Sequence, residues 1–291
     1  MKRPLRVVCL VLLPAVAGAV DIEVGSTRLV IPAPDGYALL TDGMKPYADL
    51  MKRFVPPQNL QHAVFVGEED AAIAAKGQIP QPKRFYYVQS LRDLAYSPTT
   101  KRDFAELKRA TRNENERIGR AIEQKVPGFI RDINEGLSKS YDVDLALSFQ
   151  KALPFPPHFE SDRALAFSMI ASYGMTGADG SDQGFETAFT VTAVHVKAKV
   201  IWLAVASQRE ELEWTRAAAR EWTERVVAAN PSTGEIAEQE GKGPFEWWAV
   251  VKYAFLGALA VGVVATVIQS ASRRARRTAG GAPEDRGGED A

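Results

Sequence analysis

The sequence has three histidines that could bind a metal or transfer protons: His62, His158 and His195. His62 and His195 lie in stretches with the composition of strands, and His158 follows two prolines in a predicted loop. A helical zinc site places two histidines four residues apart, and no pair here has that spacing. Isolated histidines in strands are usually residues at the edge of a core. We therefore expect no metal site.

A serine hydrolase would need its nucleophile on a tight turn, but the sequence lacks the Gly-x-Ser-x-Gly pattern. Residues 180–184 (Gly-Ser-Asp-Gln-Gly) are displaced from it by one residue and are typical of a loop tip between strands. A calcium loop counted from Asp179 would place Thr190 where a glutamate is required. The enzymatic alternative is a hydrolase that uses loop residues such as His158, Asp162 and Asp179.

The remaining chemical groups favour structural roles. The acidic runs 68–70 and 210–211 lie at predicted helix starts, where they complement the helix dipole. The only cysteine, Cys9, lies in a segment that we expect to be removed, so disulfides and thiol chemistry are excluded. No glycine-rich phosphate loop is present. The sequence identifies no catalytic residue, and we expect no cofactor.

Charge is balanced over the chain, with 36 basic and 36 acidic residues. No global basic field exists to attract nucleic acid, so we expect no nucleic-acid partner. The stretch 101–125 mixes both signs at helical spacing. Such a helix is usually a solvated face, and a docking surface is the alternative.

The N-terminus has the three parts of a secretory signal peptide. Residues 1–6 are basic, residues 7–16 are apolar, and Ala17-Gly18-Ala19 is a small-residue cleavage site. The apolar run is too short to cross ~30 Å of hydrocarbon. We predict a signal peptide over residues 1–19, with an uncleaved N-terminal anchor as the alternative.

Residues 247–268 predict a transmembrane helix. They carry a single charge, Lys252, and three aromatic residues cluster at their first end, as at a membrane interface. A buried core helix is a poor alternative, because residues 255–268 are apolar on every face. Four arginines follow the span, and positive charge is retained in the cytoplasm. They are Arg273, Arg274, Arg276 and Arg277.

Small residues recur at every fourth position of this predicted span, which would let a second membrane helix pack closely. This candidate face points to self-association or to a membrane-protein partner, and the arginine cluster to anionic lipid. The tail, residues 269–291, has almost nothing to bury and is predicted to be disordered. The small residues of the face are Ala254, Ala258, Gly262 and Thr266.

The intervening residues 20–234 predict one exported α+β domain, joined to the span by a polar linker over 235–246. About seven strands come in adjacent pairs rather than alternating with helices, which indicates a mainly antiparallel sheet flanked by helices. A charged helical insertion is predicted over 98–139. A long helix over 209–229 has its buried face at Leu212, Thr215, Ala219, Trp222 and Val226.

The layout from Val20 to Asn230 resembles the photosystem accessory protein PsbP and its Mog-type relatives. The segment 30–37 (Val-Ile-Pro-Ala-Pro-Asp-Gly-Tyr) is similar to their strand and Pro-x-Gly-aromatic turn. Two paired strands over 185–206, followed by a helix with Trp222, are similar to their C-terminal end. That ending also resembles uncharacterised exported proteins of Gram-negative bacteria. The resemblance implies an α/β/α sandwich and a non-enzymatic accessory role, and it carries over no catalytic residue.

These observations together predict an accessory or interaction protein in the bacterial inner membrane. Its folded domain would lie in the periplasm and its tail in the cytoplasm, with lipid and either a second copy or another membrane protein as partners. The alternatives are a membrane-tethered hydrolase with a site that the sequence does not show, and a small-ligand binder with a cleft between sheet and helices.

Overall fold

The computed structural model describes residues 18–53, 55–113, 120, 123–128, 130–132, 134–135, 146–176 and 182–231. Several predicted features lie outside these residues: most of the signal peptide, the linker, the transmembrane span with its small-residue face, the arginine cluster and the tail. Every helix in the described part is too short or too polar to cross a bilayer.

Ten strands are described. They are β1 (Ala19–Val24), β2 (Thr27–Pro32), β3 (Tyr37–Leu39), β4 (Asn59–Gly67), β5 (Phe85–Leu91), β6 (Ala146–Pro154), β7 (Phe159–Ser161), β8 (Ala164–Thr176), β9 (Asp182–Val196) and β10 (Lys199–Gln208). The helices are α1 (Tyr47–Arg53), α2 (Glu68–Ala75), α3 (Arg92–Ala95), α4 (Lys101–Asn113) and α5 (Leu212–Ala229). A 3₁₀ turn, Arg209–Glu211, precedes α5, and residues 123–128 are also helical.

Eight strands form one antiparallel sheet in the order β3-β4-β5-β10-β9-β8-β6, and β7 pairs with β8 beyond the end of β6. The strands β1 and β2 form a separate hairpin. The predicted mainly antiparallel α+β fold is therefore confirmed. The hairpin β9–β10 turns at Lys197 and Ala198, which both have positive φ, and this tight connection suits the twist of a hairpin.

The central strands are buried on both faces, so their side chains divide between two cores by simple alternation. In β10, Trp202 and Ala204 belong to one core, while Leu203 and Val205 belong to the other. The first core is covered by α1, by α4 and by the helical residues around Val126 and Ile130. The second is covered by the β1–β2 hairpin and α5. The result is a helical layer, a sheet, and a layer of hairpin and helix.

The two long helices follow the sequence closely. In α4 Phe104, Leu107 and Thr111 fall at helical spacing and are buried. The hydroxyl of Thr100 accepts from the Asp103 amide, and the Asp103 carboxylate accepts from the Thr100 amide, which is a reciprocal cap. In α5 four of the five predicted residues are buried, and Leu212 is half-buried.

Three local expectations differ from the structure. The short strands β3 and β7 are absent from the sequence prediction, because three residues are too few to show a period. Residues 182–184, expected in a loop tip, belong to β9 and pair with the end of β8. Here the side chain of Asp182 accepts from the hydroxyl of Thr176 at 2.6 Å. Backbone pairing therefore extends further than the glycine-rich composition indicates.

Candidate functional site

A cleft of about 390 Å³ lies between the segment after the hairpin, strand β5 and helix α5. Its walls combine aromatic rings with both signs of charge. We call it the aromatic cleft, and its lining residues are Pro34, Asp35, Tyr37, Arg84, Tyr86, Trp214, Ala217, Ala218, Glu221, Trp222 and Arg225.

The turn after β2 forms the first wall. The amide of Tyr37 donates to the carbonyl of Pro34 at 3.1 Å, which closes the turn. Gly36 has φ of 77°, a left-handed conformation that a residue with a side chain adopts at a cost. The chain then enters β3 with Tyr37 half-exposed at the cleft.

Helix α5 forms the second wall. Its cleft residues fall at helical spacing, so one side of the helix faces the cleft while Thr215 and Ala219 face the core. Arg225 holds this side to the turn, because its guanidinium donates to the carboxylate of Asp35 and to the carbonyl of Ala33, both at 2.9 Å.

The floor is a cluster of aromatic rings in edge-to-face contact. Tyr86 of β5 lies 4.6 Å from Tyr37, 5.2 Å from Trp222 and 6.1 Å from Trp214, measured between ring centroids. Aromatic pairs in this geometry add ~0.5–1.5 kcal/mol beyond the burial of their area. The floor is therefore a set of mutually packed rings, and Tyr37 and Trp214 are its half-exposed members.

Arg84 at the mouth of the cleft is held on two sides. Its guanidinium carbon lies 4.2 Å from the centroid of the Trp214 ring, and its Nε donates to the Glu211 carboxylate at 3.0 Å. The hydroxyl of Ser207 also donates to Glu211. The hydrogen bond from Arg84 lowers the pKa of Glu211, and burial raises the pKa of Tyr37. Both arginines of the cleft are thus neutralised by a carboxylate.

Glu221 is the exception among the charged residues. It lies on the exposed side of α5 and lines the cleft, and no hydrogen bond or ion pair holds it within the described residues. The cleft can therefore bury an apolar or planar group against its rings and offer it one unpaired carboxylate. It contains no arrangement of nucleophile, base and orienting acid.

Two of the three histidines named in the sequence analysis, His62 and His195, are half-buried in the sheet and hydrogen-bonded to neighbouring residues. His62 lies at an irregularity in β4 and is hydrogen-bonded to the hydroxyl of Ser90 at 2.8 Å. His195 in β9 contacts the carbonyl of Thr99 at 2.7 Å and stacks on the ring of Phe104. Burial lowers the pKa of both. Among the described residues, no group of histidines and carboxylates could hold a metal ion.

The residues suggested for a hydrolase do not form a site in the described part of the chain. His158 Nδ1 lies 3.5 Å from the hydroxyl of Ser168, which is buried and bonded to Thr190. Burial lowers the pKa of His158 to about 4. Asp162 lies in the turn between β7 and β8, and no hydrogen bond or ion pair joins it to His158. Asp179 lies outside the described residues.

The two acidic runs lie at helix starts, as the sequence predicts, and Glu211 also forms a long-range ion pair. Glu68, Glu69 and Asp70 form the first turn of α2, and Glu210 and Glu211 lie in the 3₁₀ turn before α5. Glu211 also reaches across to Arg84, a contact between residues 127 positions apart that helical spacing cannot predict. The mixed-sign helix α4 contacts the sheet edge, since Lys108 and Arg112 both pair with Glu160.

No protein-family model matches the chain, and no curated protein matches it. Among solved structures it is similar to the cyanobacterial PsbP (CyanoP) of Synechocystis sp. PCC 6803, with 11% identity over 75% of this chain and 95% of that chain and a TM-score of 0.27. It is also similar to the Ran-binding protein Mog1p of Saccharomyces cerevisiae, with 10% identity, coverage of 74% and 93%, and a TM-score of 0.24. The resemblance to PsbP and Mog-type proteins is therefore found again in the structure. At TM-scores this low it carries no argument about function.

Proposed function

We propose that this chain is a membrane-anchored accessory protein whose exported domain binds a partner in the aromatic cleft. The observation that carries the proposal is the cleft itself, a preformed cavity in which aromatic rings lie beside four charged side chains. Aromatic side chains that fix a partner by their area, together with charged groups that orient it, are features of binding sites. The rings are held by the sheet and by α5, so a partner would meet an ordered surface.

The sequence supports the anchoring half of this proposal. The signal peptide of residues 1–19 and the span of residues 247–268 agree on one orientation, with the domain in the periplasm. A tether of this kind confines the domain to the membrane surface and raises its effective concentration toward neighbouring membrane proteins. The small-residue face from Ala254 to Thr266 is the proposed contact with another membrane helix or a second copy.

Filling the cleft tests the proposal. Ala217 is an exposed alanine of α5 that lines the cleft, and Ala105 is an exposed alanine of α4 on the other side of the sheet. In membranes treated with a crosslinker, A217W should remove the crosslinked partner species because the indole occupies the cleft. The matched variant A105W should retain it. Equal retention by both variants would contradict binding in the cleft.

A further inference from the structure

Among the charged groups around the aromatic cleft, one carboxylate has no ion-pair partner in the described residues. Arg84 is paired with Glu211, and Arg225 is paired with Asp35. Glu221 has no such partner in the described part of the chain, although it lines the same cavity. A group that fills the cleft and balances its charge is therefore a cation.

The size of the cleft restricts that cation. A volume of about 390 Å³ is near the lower end of the ~300–1,000 Å³ typical of ligand pockets. It suits one long side chain with part of its flanking backbone. A lysine or arginine side chain combines an apolar stem with a terminal charge, which matches walls of aromatic rings beside a carboxylate.

Helix α5 also carries two arginines that pair with aromatic rings outside the lining of the cleft. Besides Arg84 on Trp214, Arg216 lies 5.3 Å from the ring centroid of Phe155, and Arg220 lies 5.2 Å from that of Phe159. Attraction between a cation and an aromatic face is worth ~0.5–1 kcal/mol at exposed sites and more when water is excluded. The half-exposed ring of Tyr37 offers the same contact to a group from outside, and the half-exposed ring of Trp214, which already contacts Arg84, offers apolar surface beside it.

We infer that the aromatic cleft binds a lysine or arginine side chain presented by a partner polypeptide. The stem of that side chain lies against Tyr37 and Trp214, and its charge lies beside Glu221. This inference rests on the proposed function and adds the chemistry of the partner. Binding of this kind weakens as salt is added, because the charges at the mouth are partly solvated.

A pair of peptides that differ only in charge tests the inference. The full-length chain in lipid nanodiscs would be labelled with 5-fluorotryptophan, and the Trp214 fluorine signal assigned with W214F. The probes are acetyl-Gly-Arg-Gly-amide and the same peptide with citrulline, which has nearly the shape of arginine without its charge. The arginine peptide should shift the Trp214 signal saturably, and the citrulline peptide should bind about three- to fivefold more weakly.

Variants of two glutamates on α5 test whether the charge preference comes from Glu221. E221Q should weaken binding of the arginine peptide by about three- to fivefold, since it removes the unpaired carboxylate. E224Q is the matched control, because Glu224 is exposed on the same helix and paired with Arg220 outside the cleft. Its affinity should not change. Equal binding of both peptides, an unchanged affinity in E221Q, or a Trp214 signal that neither peptide moves would each overturn the inference.

The experiments distinguish an error in the chemistry of the partner from an error in the proposed binding site. If A217W removes the partner species while charge has no effect on the peptides, the cleft is a binding site for a group that is not cationic. If A217W also has no effect, the cleft is not the site. A photo-crosslinking amino acid can also be placed at position 217. If it forms an adduct with the arginine cluster 273–277 of the chain itself, the assignment to a separate partner is overturned.

Discussion

Trp222 joins three parts of the molecule through one side chain. Its indole Nε1 donates to the carbonyl of Pro32 at the end of the hairpin, at 2.8 Å. Its ring meets the edges or faces of Phe65 in β4 and Tyr86 in β5. Because the indole is fully buried, the hydrogen bond and the packing are both lost when the ring is shortened. The position of α5, and with it the cleft, depends on this residue.

The variant W222F should therefore lower the free energy of unfolding by about 2–3 kcal/mol, from the cavity and the unpaired Pro32 carbonyl. The control W214F keeps a ring at a half-exposed position and should cost less than about 1 kcal/mol. Urea unfolding of the full-length chain, followed by circular dichroism, measures both. Equal losses in the two variants would show that Trp222 does not hold the helix in place.

Acid should destabilise the domain through its histidines. Burial lowers the pKa of His62 and of His158 from 6.5 to about 4. The unfolded chain then binds more protons than the folded one between pH 6.5 and 4, so the free energy of unfolding decreases as the pH falls through this window. The stabilisation is fully present above pH 6.5. Thermal unfolding at several pH values between 7 and 5 measures it before most carboxylates titrate.

The variant H62Q separates this effect from the rest of the protein. Glutamine can still bond to Ser90 but does not titrate, so the dependence of the unfolding temperature on pH should become shallower. An unchanged slope would mean that His62 does not change its pKa on folding.

The β1–β2 hairpin is positioned at its tip by a close backbone approach. Gly25 has φ of 61°, and a Cβ atom added there would overlap the carbonyl oxygen of Ala95. The hairpin tip therefore packs directly on the end of α3. Since the hairpin and α5 cover the same face of the sheet, a displaced tip would also disturb the contact of Pro32 with Trp222.

Two glycine variants separate backbone strain from this steric contact. G25A should destabilise the domain by about 3 kcal/mol, through both left-handed strain and overlap with Ala95. Gly36 has φ of 77° but open space around it, so G36A should cost only the strain, about 1 kcal/mol. Denaturation midpoints compare the two. A G25A variant as stable as G36A would contradict the close approach.

Alternation and helical spacing are enough to predict the main elements of the fold. The strands β9 and β10 are long and apolar, and α4 and α5 have clear buried stripes, so local sequence reflects their burial. A cleft between sheet and helices was an alternative from the sequence, but its lining residues were not predicted, because they are brought together only by folding. Arg84 and Glu211 meet across 127 positions, and Asp35 and Arg225 across 190. In the sequence, only Trp214, Trp222 and the turn before Tyr37 indicate an aromatic site in this part of the fold.

At the scale of the whole molecule, the proposed topology can be mapped with single cysteines, because Cys9 is the only natural one. A membrane-impermeant maleimide should label E69C, in the exposed first turn of α2, in cells whose outer membrane is permeable. It should label S272C only after the inner membrane is broken. The reverse pattern would contradict an exported domain with a cytoplasmic tail.

The proposed function requires a partner in the aromatic cleft while the chain is in its membrane. A photo-crosslinking amino acid at position 217 tests this most directly, with the same amino acid at position 105 as the control. Both positions are exposed alanines on helices, on opposite faces of the sheet. Irradiation of intact membranes should give a discrete adduct from position 217, and the adduct should diminish when E221Q is added. No adduct from position 217, or the same adduct from both positions, would rule out a partner bound in the cleft.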